Sequence, residues 1–461
     1  MRRLLIAALA LTACMFNFAK GKEPVKKTYI YRYYLTDKKA SKHSLQRPSA
    51  FLSQKSLDRR RRQGLRLDST DLPVPERYVR QFQGRDTRVL GTSRWQNTVV
   101  VSAPDSAVLV RLASLPMVRK AQCVYVSPDS LDSATMLKRK VHTDFDRWDS
   151  VKNDHYGMAR RQIEMLDGVK LHEAGFTGRG ITIAILDGGF MNYDQIPALQ
   201  HARIRGTYDF VEQAVQGPTF HDADHGTKVL SAIAAYAPEV IVGTAPDADI
   251  WLLRSEDTVT EQPVEEDYWA MAAEYADSLG ADVLNSSLGY YEYDAPMPSY
   301  RLRDLDGRTA FISREASMLA SKGMILCNSA GNSGMGHWKK IGVPADSHDI
   351  LAVGAVDGEG LIAPFSSVGP SQDLRTKPDV VARGSNTALI SGRGRLVSDM
   401  GTSFSSPVTC GMVACLWQAL PQLTALQVME LVRQSGDQHD APNNVYGNGL
   451  PSFWNAYQHG K

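Results

Sequence analysis

The fold of this chain is decided by one stretch, Gly-Thr-Ser-Phe-Ser-Ser-Pro at residues 401–407. Pro407 is tolerated near the start of a helix, where an amide donor is dispensable, and residues 408–420 continue as a mostly apolar helix. Ser403 is therefore expected beside the positive end of a helix dipole. Because a serine hydroxyl is a weak nucleophile at neutral pH, the stretch predicts a nucleophile that needs a base from elsewhere in the chain.

Two upstream stretches supply partners with suitable chemistry. His225 precedes Gly226, Thr227 and apolar residues at helical spacing, so its imidazole is expected in the first turn of a helix. Asp187 follows residues 181–186, a continuous apolar run typical of a strand that is buried on both faces. Ligands of open α/β sheets bind at the carboxyl ends of strands, which puts this carboxylate at the rim of a site. A base and a carboxylate that orients it are thus available.

A fourth candidate residue lies between the histidine and the serine. Asn332 ends the stretch Ala330-Gly331-Asn332, which follows a strand candidate at residues 323–327. Its side-chain amide can donate to an oxyanion, with the backbone amide of Ser403 as the second donor. Each of these residues alone also fits a helix cap, a polar surface or a turn, but their order and combination favour catalysis.

Five blocks resemble the subtilases, the subtilisin-like serine peptidases, in order and in neighbouring residues. The blocks are Asp187-Gly188-Gly189, His225-Gly226-Thr227, Asn285-Ser286-Ser287-Leu288-Gly289, Ala330-Gly331-Asn332 and Gly401-Thr402-Ser403. The resemblance covers about residues 155–458, and the chain order of aspartate, histidine and serine is that of subtilisin. It implies a catalytic triad of Asp187, His225 and Ser403, with Asn332 serving the oxyanion.

The same resemblance implies where a peptide binds. Ser287, Leu288, Gly289, Ala330 and Gly331 are the substrate-binding residues, because an extended peptide lies as an added strand between such segments in this family. Two departures from the usual family pattern, Lys228 and the 404–406 stretch, touch no triad position.

Charge divides the chain into parts of opposite sign. Residues 23–128 hold 21 lysines and arginines against eight acidic residues, whereas residues 129–461 hold 27 against 42. Complementary potentials favour docking, so we interpret 23–128 as a prosegment that binds the catalytic domain at 155–461. Residues 129–154, which include Lys138-Arg139-Lys140, are the predicted linker with a processing site. An unrelated accessory domain is the alternative.

The prosegment is predicted to be a small α+β unit. Strands are expected at 28–34, 99–101 and 118–126, and helices at 49–63 and 106–115. Subtilase prosegments resemble this plan and act as folding aids and intramolecular inhibitors. The run Arg59 to Arg62 also fits a nucleic-acid surface, but it follows apolar residues at helical spacing and lacks accompanying aromatic residues. We therefore expect no nucleic-acid partner.

The N-terminus predicts export. Arg2 and Arg3 precede a short apolar run at residues 4–13, which is typical of a signal peptide spanning 1–22 and too short for a membrane helix. Leu-Thr-Ala-Cys ending at Cys14 resembles a bacterial lipobox, and ordinary cleavage after Ala19 is the alternative. The first predicts a lipoprotein of the cell envelope, and the second a secreted protein.

Cofactor chemistry has little support in the sequence. No cofactor is required for the predicted reaction, there is no His-Glu-x-x-His zinc motif, and no cysteine occupies the nucleophile position. The family often binds structural calcium, and the loops at 222–224 and 304–307 carry carboxylates, but solvated turns are the favoured interpretation. The five cysteines predict no structural disulfide.

These observations define the expected fold and function. Strand candidates at 181–186, 249–253, 282–286, 324–328 and 350–354 alternate with helical stretches. This alternation predicts an α/β, subtilisin-like three-layer fold with a largely parallel sheet, preceded by a small α+β prodomain. The predicted function is an exported serine endopeptidase made as a zymogen. A catalytically silent peptide-binding relative is the alternative, and a lipase or amidase is a further one.

Overall fold

The computed structural model of the protein describes residues 23–24, 27–131, 154–217 and 219–461. The predicted signal peptide, including Cys14, and nearly all of the predicted linker with its processing site lie outside the described residues. Within those ranges, no helix combines the length and the apolar character needed to cross a membrane.

A parallel sheet forms the centre of the catalytic domain. Seven described strands make it up, in the spatial order Val380–Arg383 (β15), Leu351–Val356 (β14), Ile325–Ser329 (β13), Val283–Ser286 (β12), Thr182–Asp187 (β7), Asp249–Arg254 (β11) and Arg203–Asp209 (β8). Each neighbouring pair is parallel. The five strand predictions are confirmed, and β8 and β15 at the two edges were not predicted.

Helices cover both faces of this sheet. On β7, Ile183 and Ile185 point to one face, while Ala184 and Leu186 point to the other. The first face packs against His225–Ala234 (α6) and Thr402–Ala419 (α9), and the second against Val264–Leu279 (α7) and Phe311–Met318 (α8). Because strand side chains alternate between faces, both faces are apolar, and the predicted three-layer α/β fold is confirmed.

Shorter elements complete the catalytic domain. They are the helices Arg160–Glu164 (α4), Gly168–Glu173 (α5), Ala425–Gln434 (α10) and Phe453–Gly460 (α11), and the strands Tyr236–Ala237 (β9), Ile241–Val242 (β10), Thr387–Ile390 (β16) and Leu396–Asp399 (β17).

The prosegment is an α+β unit with its own apolar core. Its antiparallel sheet has the order Arg88–Ser93 (β3), Thr98–Ala103 (β4), Tyr29–Leu35 (β2) and Val118–Val126 (β5), and its helices are Gln54–Arg62 (α1), Glu76–Val79 (α2) and Ser106–Leu112 (α3). A short pair joins Glu23–Pro24 (β1) to Ser130–Leu131 (β6). The predicted strands and helices are confirmed, although α1 and α3 are shorter than expected. β3 was not predicted.

One face of the prosegment sheet packs on the outer helices of the catalytic domain. Ile30, Val100 and Val124 join the apolar cluster that contains Trp269 of α7 and Ile312 of α8. The other face closes over the prosegment's own core around Tyr33 and Phe82. The two units are therefore joined by a continuous apolar contact, which is stabilising in proportion to its buried area.

Ion pairs surround this apolar contact, and Asp277 of α7 is at their centre. Arg59, Arg60 and Arg94 of the prosegment all donate to its carboxylate, with both Arg60 contacts at 2.8 Å. Burial alone would raise the pKa of Asp277, but the three guanidinium groups hold it well below its ordinary value. Two of the arginines in the 59–62 run are thus buried against the catalytic domain and contribute nothing to a basic surface.

Glu274 and Glu315, two further carboxylates at the interface, are less completely neutralised, with Arg94 Nε 3.9 Å from Glu274 Oε2. The single Ser93 hydroxyl lies 2.7 Å from Glu274 Oε1 and 2.9 Å from Glu315 Oε1, so it donates to only one of them. Glu315 Oε2 is buried without a partner. Burial, and then the charge of Glu274, raise the pKa of Glu315 well above its ordinary value. The docked prosegment thus favours the protonated form of this pair.

Candidate active site

Asp187 lies where the sequence predicts it, at the carboxyl end of a central strand. It is the last residue of β7 and is fully buried. Its Oδ1 accepts the Gly188 amide at 2.8 Å. β7 lies between β12 and β11, and Arg254, the last residue of β11, lies beside Asp187 in the sheet. Among the described residues, the buried carboxylate has one side-chain partner.

That partner is His225, the first residue of α6. Its Nδ1 lies 2.9 Å from Oδ1 and 3.0 Å from Oδ2 of Asp187. The contact is allowed because Gly226 packs directly against Gly189, where a Cβ atom would lie 2.4 Å from the Gly189 carbonyl oxygen. Burial alone would lower the pKa of His225, but Asp187 raises it to about 9. The imidazole therefore loses its proton, and can act as a base, mainly above neutral pH.

Ser403 is the second residue of α9 and lies at the positive end of the helix as expected, but the helix begins earlier than predicted, so that Pro407 lies inside it. Pro407 lies one helical turn further on and has no amide to donate to the Ser403 carbonyl. That carbonyl accepts the Ser287 hydroxyl instead, at 2.8 Å. The proline thus frees a backbone acceptor that ties the start of α9 to the loop after β12.

The Ser403 hydroxyl has a different partner from the one that catalysis requires. It donates to the Ser287 carbonyl at 3.3 Å, and no described residue other than Asp187 hydrogen bonds with the His225 ring. Ser403 and His225 nevertheless line the same cavity. Hydrogen bonds between catalytic groups are often formed only in the substrate complex, and a rotation about the serine side-chain bond redirects the hydroxyl.

Asn332 is oriented by Thr402, a residue that the sequence did not single out for a role. Asn332 Oδ1 accepts both the Thr402 amide and the Thr402 hydroxyl at 2.9 Å. The Thr402 oxygen in turn accepts the Gly331 amide at 3.1 Å. With its oxygen engaged twice, the Asn332 carboxamide presents its NH₂ group to the cavity. Such a group can donate to a developing oxyanion.

The four predicted catalytic residues meet at one cavity of about 450 Å³. Asp187 lies behind its wall, beneath His225. The lining residues are His225, Glu256, Ser287, Leu288, Gly289, Tyr291, Ser329, Ala330, Gly331, Asn332, Ser333, Gly342, Ser367 and Ser403. All five predicted substrate-binding residues are among them. None of the described prosegment residues is.

The cavity has two kinds of wall. Near Gly289, Ala330 and Gly342 it is formed by small residues and backbone, which leaves room for a side chain. It is also lined by the side chains of His225 and of Glu256, which no sequence pattern indicated. Glu256 follows β11, the strand beside β7, so the pairing of those two strands brings it to Asp187.

The two carboxylate loops proposed for calcium are occupied by other interactions. Asp306 accepts the Arg308 amide at 2.8 Å, the Thr309 amide at 2.6 Å and the Thr309 hydroxyl at 2.8 Å. Asp224 accepts the Gly392 amide at 3.2 Å. In the part of the chain that the structure describes, no group of three or more histidine, cysteine or acidic side chains can hold a metal ion. The hydrogen bonds at Asp306 and Asp224 are those of polar turns, and calcium binding stays a prediction without an assigned site.

An α/β fold with a carboxylate, a histidine and a serine at the carboxyl edge of its sheet is typical of serine hydrolases. Residues 178–449 match the family model described as "Subtilase family", and residues 30–141 match "Peptidase S8 propeptide domain, Bacteroidota". The chain therefore belongs to the subtilase family of serine peptidases and carries a propeptide domain.

Individual relatives agree with this assignment. The chain is 27% identical over 298 residues to the thermostable alkaline protease of Halalkalibacterium halodurans, covering 64% of this chain and 73% of that protein. It is 28% identical over 290 residues to subtilisin Savinase of Lederbergia lenta, covering 62% and 94% respectively. The crystal structure of MycP1 from Mycobacterium smegmatis shares the fold, with a TM-score of 0.54 and 22% identity over 70% of this chain and 89% of that one.

Proposed function

We propose that this protein is an endopeptidase that hydrolyses peptide bonds through Asp187, His225 and Ser403. The observation that carries the proposal is the contact of His225 Nδ1 with the buried Asp187 carboxylate, beside a cavity that Ser403 and Asn332 both line. A buried carboxylate fixes the tautomer that leaves Nε2 free to accept a proton. A lipase or amidase function has no comparable support.

The reaction follows from these positions. A peptide pairs with Ser287 to Gly289 as an added strand, which places its carbonyl carbon at Ser403 Oγ. His225 Nε2 accepts the hydroxyl proton as Oγ attacks, and Asp187 stabilises the imidazolium. The Asn332 side-chain amide and the Ser403 backbone amide donate to the oxyanion. His225 then protonates the leaving amine, and water hydrolyses the acyl-enzyme by the same steps.

Zymogen control belongs to the same proposal. The propeptide match and the buried ion pairs of Asp277 support a prosegment that binds its own catalytic domain as an intramolecular inhibitor. Cleavage in the predicted linker at 129–154 would release it. Because none of the described prosegment residues lines the cavity, we assign the inhibitory contact no residue.

Export completes the proposal. The signal-like residues 1–22 and the lipobox-like stretch at Cys14 support delivery to the cell envelope as a lipoprotein, and cleavage after Ala19 would give a secreted protein. A Cys14→Ser variant distinguishes the two routes. It should lose its membrane association if Cys14 is lipidated, and it should be released unchanged if the signal is cleaved after Ala19.

The intact mass of the full-length protein during incubation tests the catalytic proposal. We expect loss of roughly the first 130 to 150 residues and hydrolysis of a denatured protein substrate, both abolished in Ser403→Ala. The matched control is Ser398→Ala, an exposed position in β17, the strand before α9, and this variant should behave like the parent. Equal hydrolysis of the protein substrate by the parent and Ser403→Ala would refute the assigned nucleophile. Absence of hydrolysis in both would favour a silent peptide-binding relative.

A further inference from the structure

Glu256 is placed at the catalytic cavity by the central strands. It is the second residue after β11, whose last residue, Arg254, lies beside Asp187 in the sheet. Its Oε2 atom lies 2.8 Å from the point where a Cβ atom on Gly188 would be. Any larger residue at position 188 would displace the carboxylate. Glycine at this position therefore lets Glu256 reach the wall that it shares with His225.

The carboxylate of Glu256 has no partner among the described residues. None of them donates a hydrogen bond to it, and none provides a cation within 4 Å. The nearby cationic side chains bind other groups. The Arg254 guanidinium binds Asp209 at 3.0 Å and the Gly188 carbonyl at 2.9 Å, and His225 binds Asp187.

An unpartnered carboxylate in a half-buried position is unusual, because burial disfavours its charged form. Burial and then the neighbouring Asp187 raise the pKa of Glu256 to about 8. The group accepts either a proton or an external cation. Since it lines the cavity that receives the substrate, a cationic substrate side chain can reach it.

We propose that Glu256 selects substrates with lysine or arginine immediately before the residue whose carbonyl is attacked. The inference deepens the proposed peptidase function and rests on it. Successive side chains of an extended peptide point to opposite sides. We place the side chain of the attacked residue among the small residues Gly289 and Gly342, which leaves the preceding side chain to the part of the cavity that His225 and Glu256 line.

Two peptides that differ only at that preceding position test the proposal. One carries lysine and the other norleucine, which retains the length of the chain but lacks the ammonium group. For the parent enzyme we expect kcat/KM to favour lysine by about 10- to 100-fold, the range of one charge-assisted hydrogen bond. In Glu256→Gln the ratio should fall to within about threefold of one.

The control is Glu292→Gln, which removes an exposed carboxylate from the loop beside the cavity and should keep the parental ratio. A ratio near one in the parent enzyme, or a lysine preference that persists in Glu256→Gln, would overturn the proposal. Ser403-dependent cleavage of the norleucine peptide supports the peptidase function independently of this ratio. If neither peptide is cleaved, the proposed function fails, and the affinities of both peptides for the Ser403→Ala protein still test Glu256.

Discussion

Two carboxylates in this molecule, one fully buried and one half-buried, have opposite surroundings. Asp277, under the prosegment, is bound by three guanidinium groups, whereas Glu256, in the catalytic cavity, has no cation beside it among the described residues. A buried charge is tolerated when it is paired, and the Asp277 carboxylate is paired by the prosegment. The cavity lacks one positive charge. Asp277 thus has its cationic partners within the chain, whereas Glu256 can still bind a cation from outside it.

The largest effect is expected from Asp277→Ala, which removes the anion that three buried guanidinium groups share, although Arg60 keeps its contact with Asp71 at 2.9 Å. Removing one partner of a buried ion pair destabilises by about 3–5 kcal/mol. In the unprocessed Ser403→Ala chain, the population with an undocked prosegment should therefore rise by about 10²–10⁴-fold. The rate of limited proteolysis within residues 27–131 measures it.

Asp58→Ala is the control for this change. It removes an exposed ion pair with Arg61 on α1, at 2.7 Å, and such pairs contribute about 0–1 kcal/mol. Similar proteolysis of both variants would show that buried pairing at Asp277 contributes no more to docking than a surface pair does.

Inside the cavity, the oriented side chain of Asn332 contrasts with the unpartnered one of Glu256. Thr402→Val removes the hydroxyl that binds Asn332 Oδ1 and accepts the Gly331 amide. In subtilisin, a member of this family, loss of an oxyanion donor costs about 10²–10³-fold in turnover, and loss of the orienting group should cost about 10- to 100-fold here. We expect kcat to fall with little change in KM. A change confined to KM would contradict a positioning role for Thr402.

Glu274 and Glu315 also lie at the prosegment interface, but their carboxylates lack the three-arginine pairing of Asp277. Docking raises the pKa of Glu315, so the docked state binds more protons than the undocked state. Docking should therefore weaken as pH rises above about 4.5, by up to about tenfold per pH unit until Glu315 ionises in the docked state. Proteolysis of the prosegment in the Ser403→Ala chain, followed between pH 5 and 8, measures this.

Glu315→Gln should make docking nearly independent of pH over that range, because the amide carries no titrating proton and can donate to Glu274. A parental slope in this variant would assign the pH dependence to another group.

The smallest effect is expected from Glu256→Gln on the pH profile. Asp187 is the main cause of the raised pKa of His225, and Glu256 adds to it, while Lys228 opposes both. Removing the Glu256 charge should lower the pKa of His225, so its base form appears at lower pH. The acid limb of kcat/KM for the norleucine peptide should move to lower pH by less than about one unit. A shift to higher pH would contradict this arrangement.

Local patterns in the sequence predicted much of the fold and the candidate site. The apolar run before Asp187, the helical spacing after His225 and the apolar helix after Ser403 each specify a nearby element. The contacts that depend on distant partners were not predictable in this way. Arg94 meets Asp277 across 183 residues of sequence, and Glu256 reaches the cavity only because β11 pairs with β7. Thr402 was noted only as part of a family block, since its role requires the side-chain geometry of Asn332.

The reciprocal hydrogen bonds between Ser287 and Ser403 affect the order of events in a catalytic cycle. The Ser287 carbonyl accepts the Ser403 hydroxyl, and under the proposed function it would also accept the amide of a paired peptide. A peptide that pairs there would compete for this acceptor, and the displaced hydroxyl could then turn toward His225. Binding of the substrate backbone and release of the nucleophile would in that case be one event.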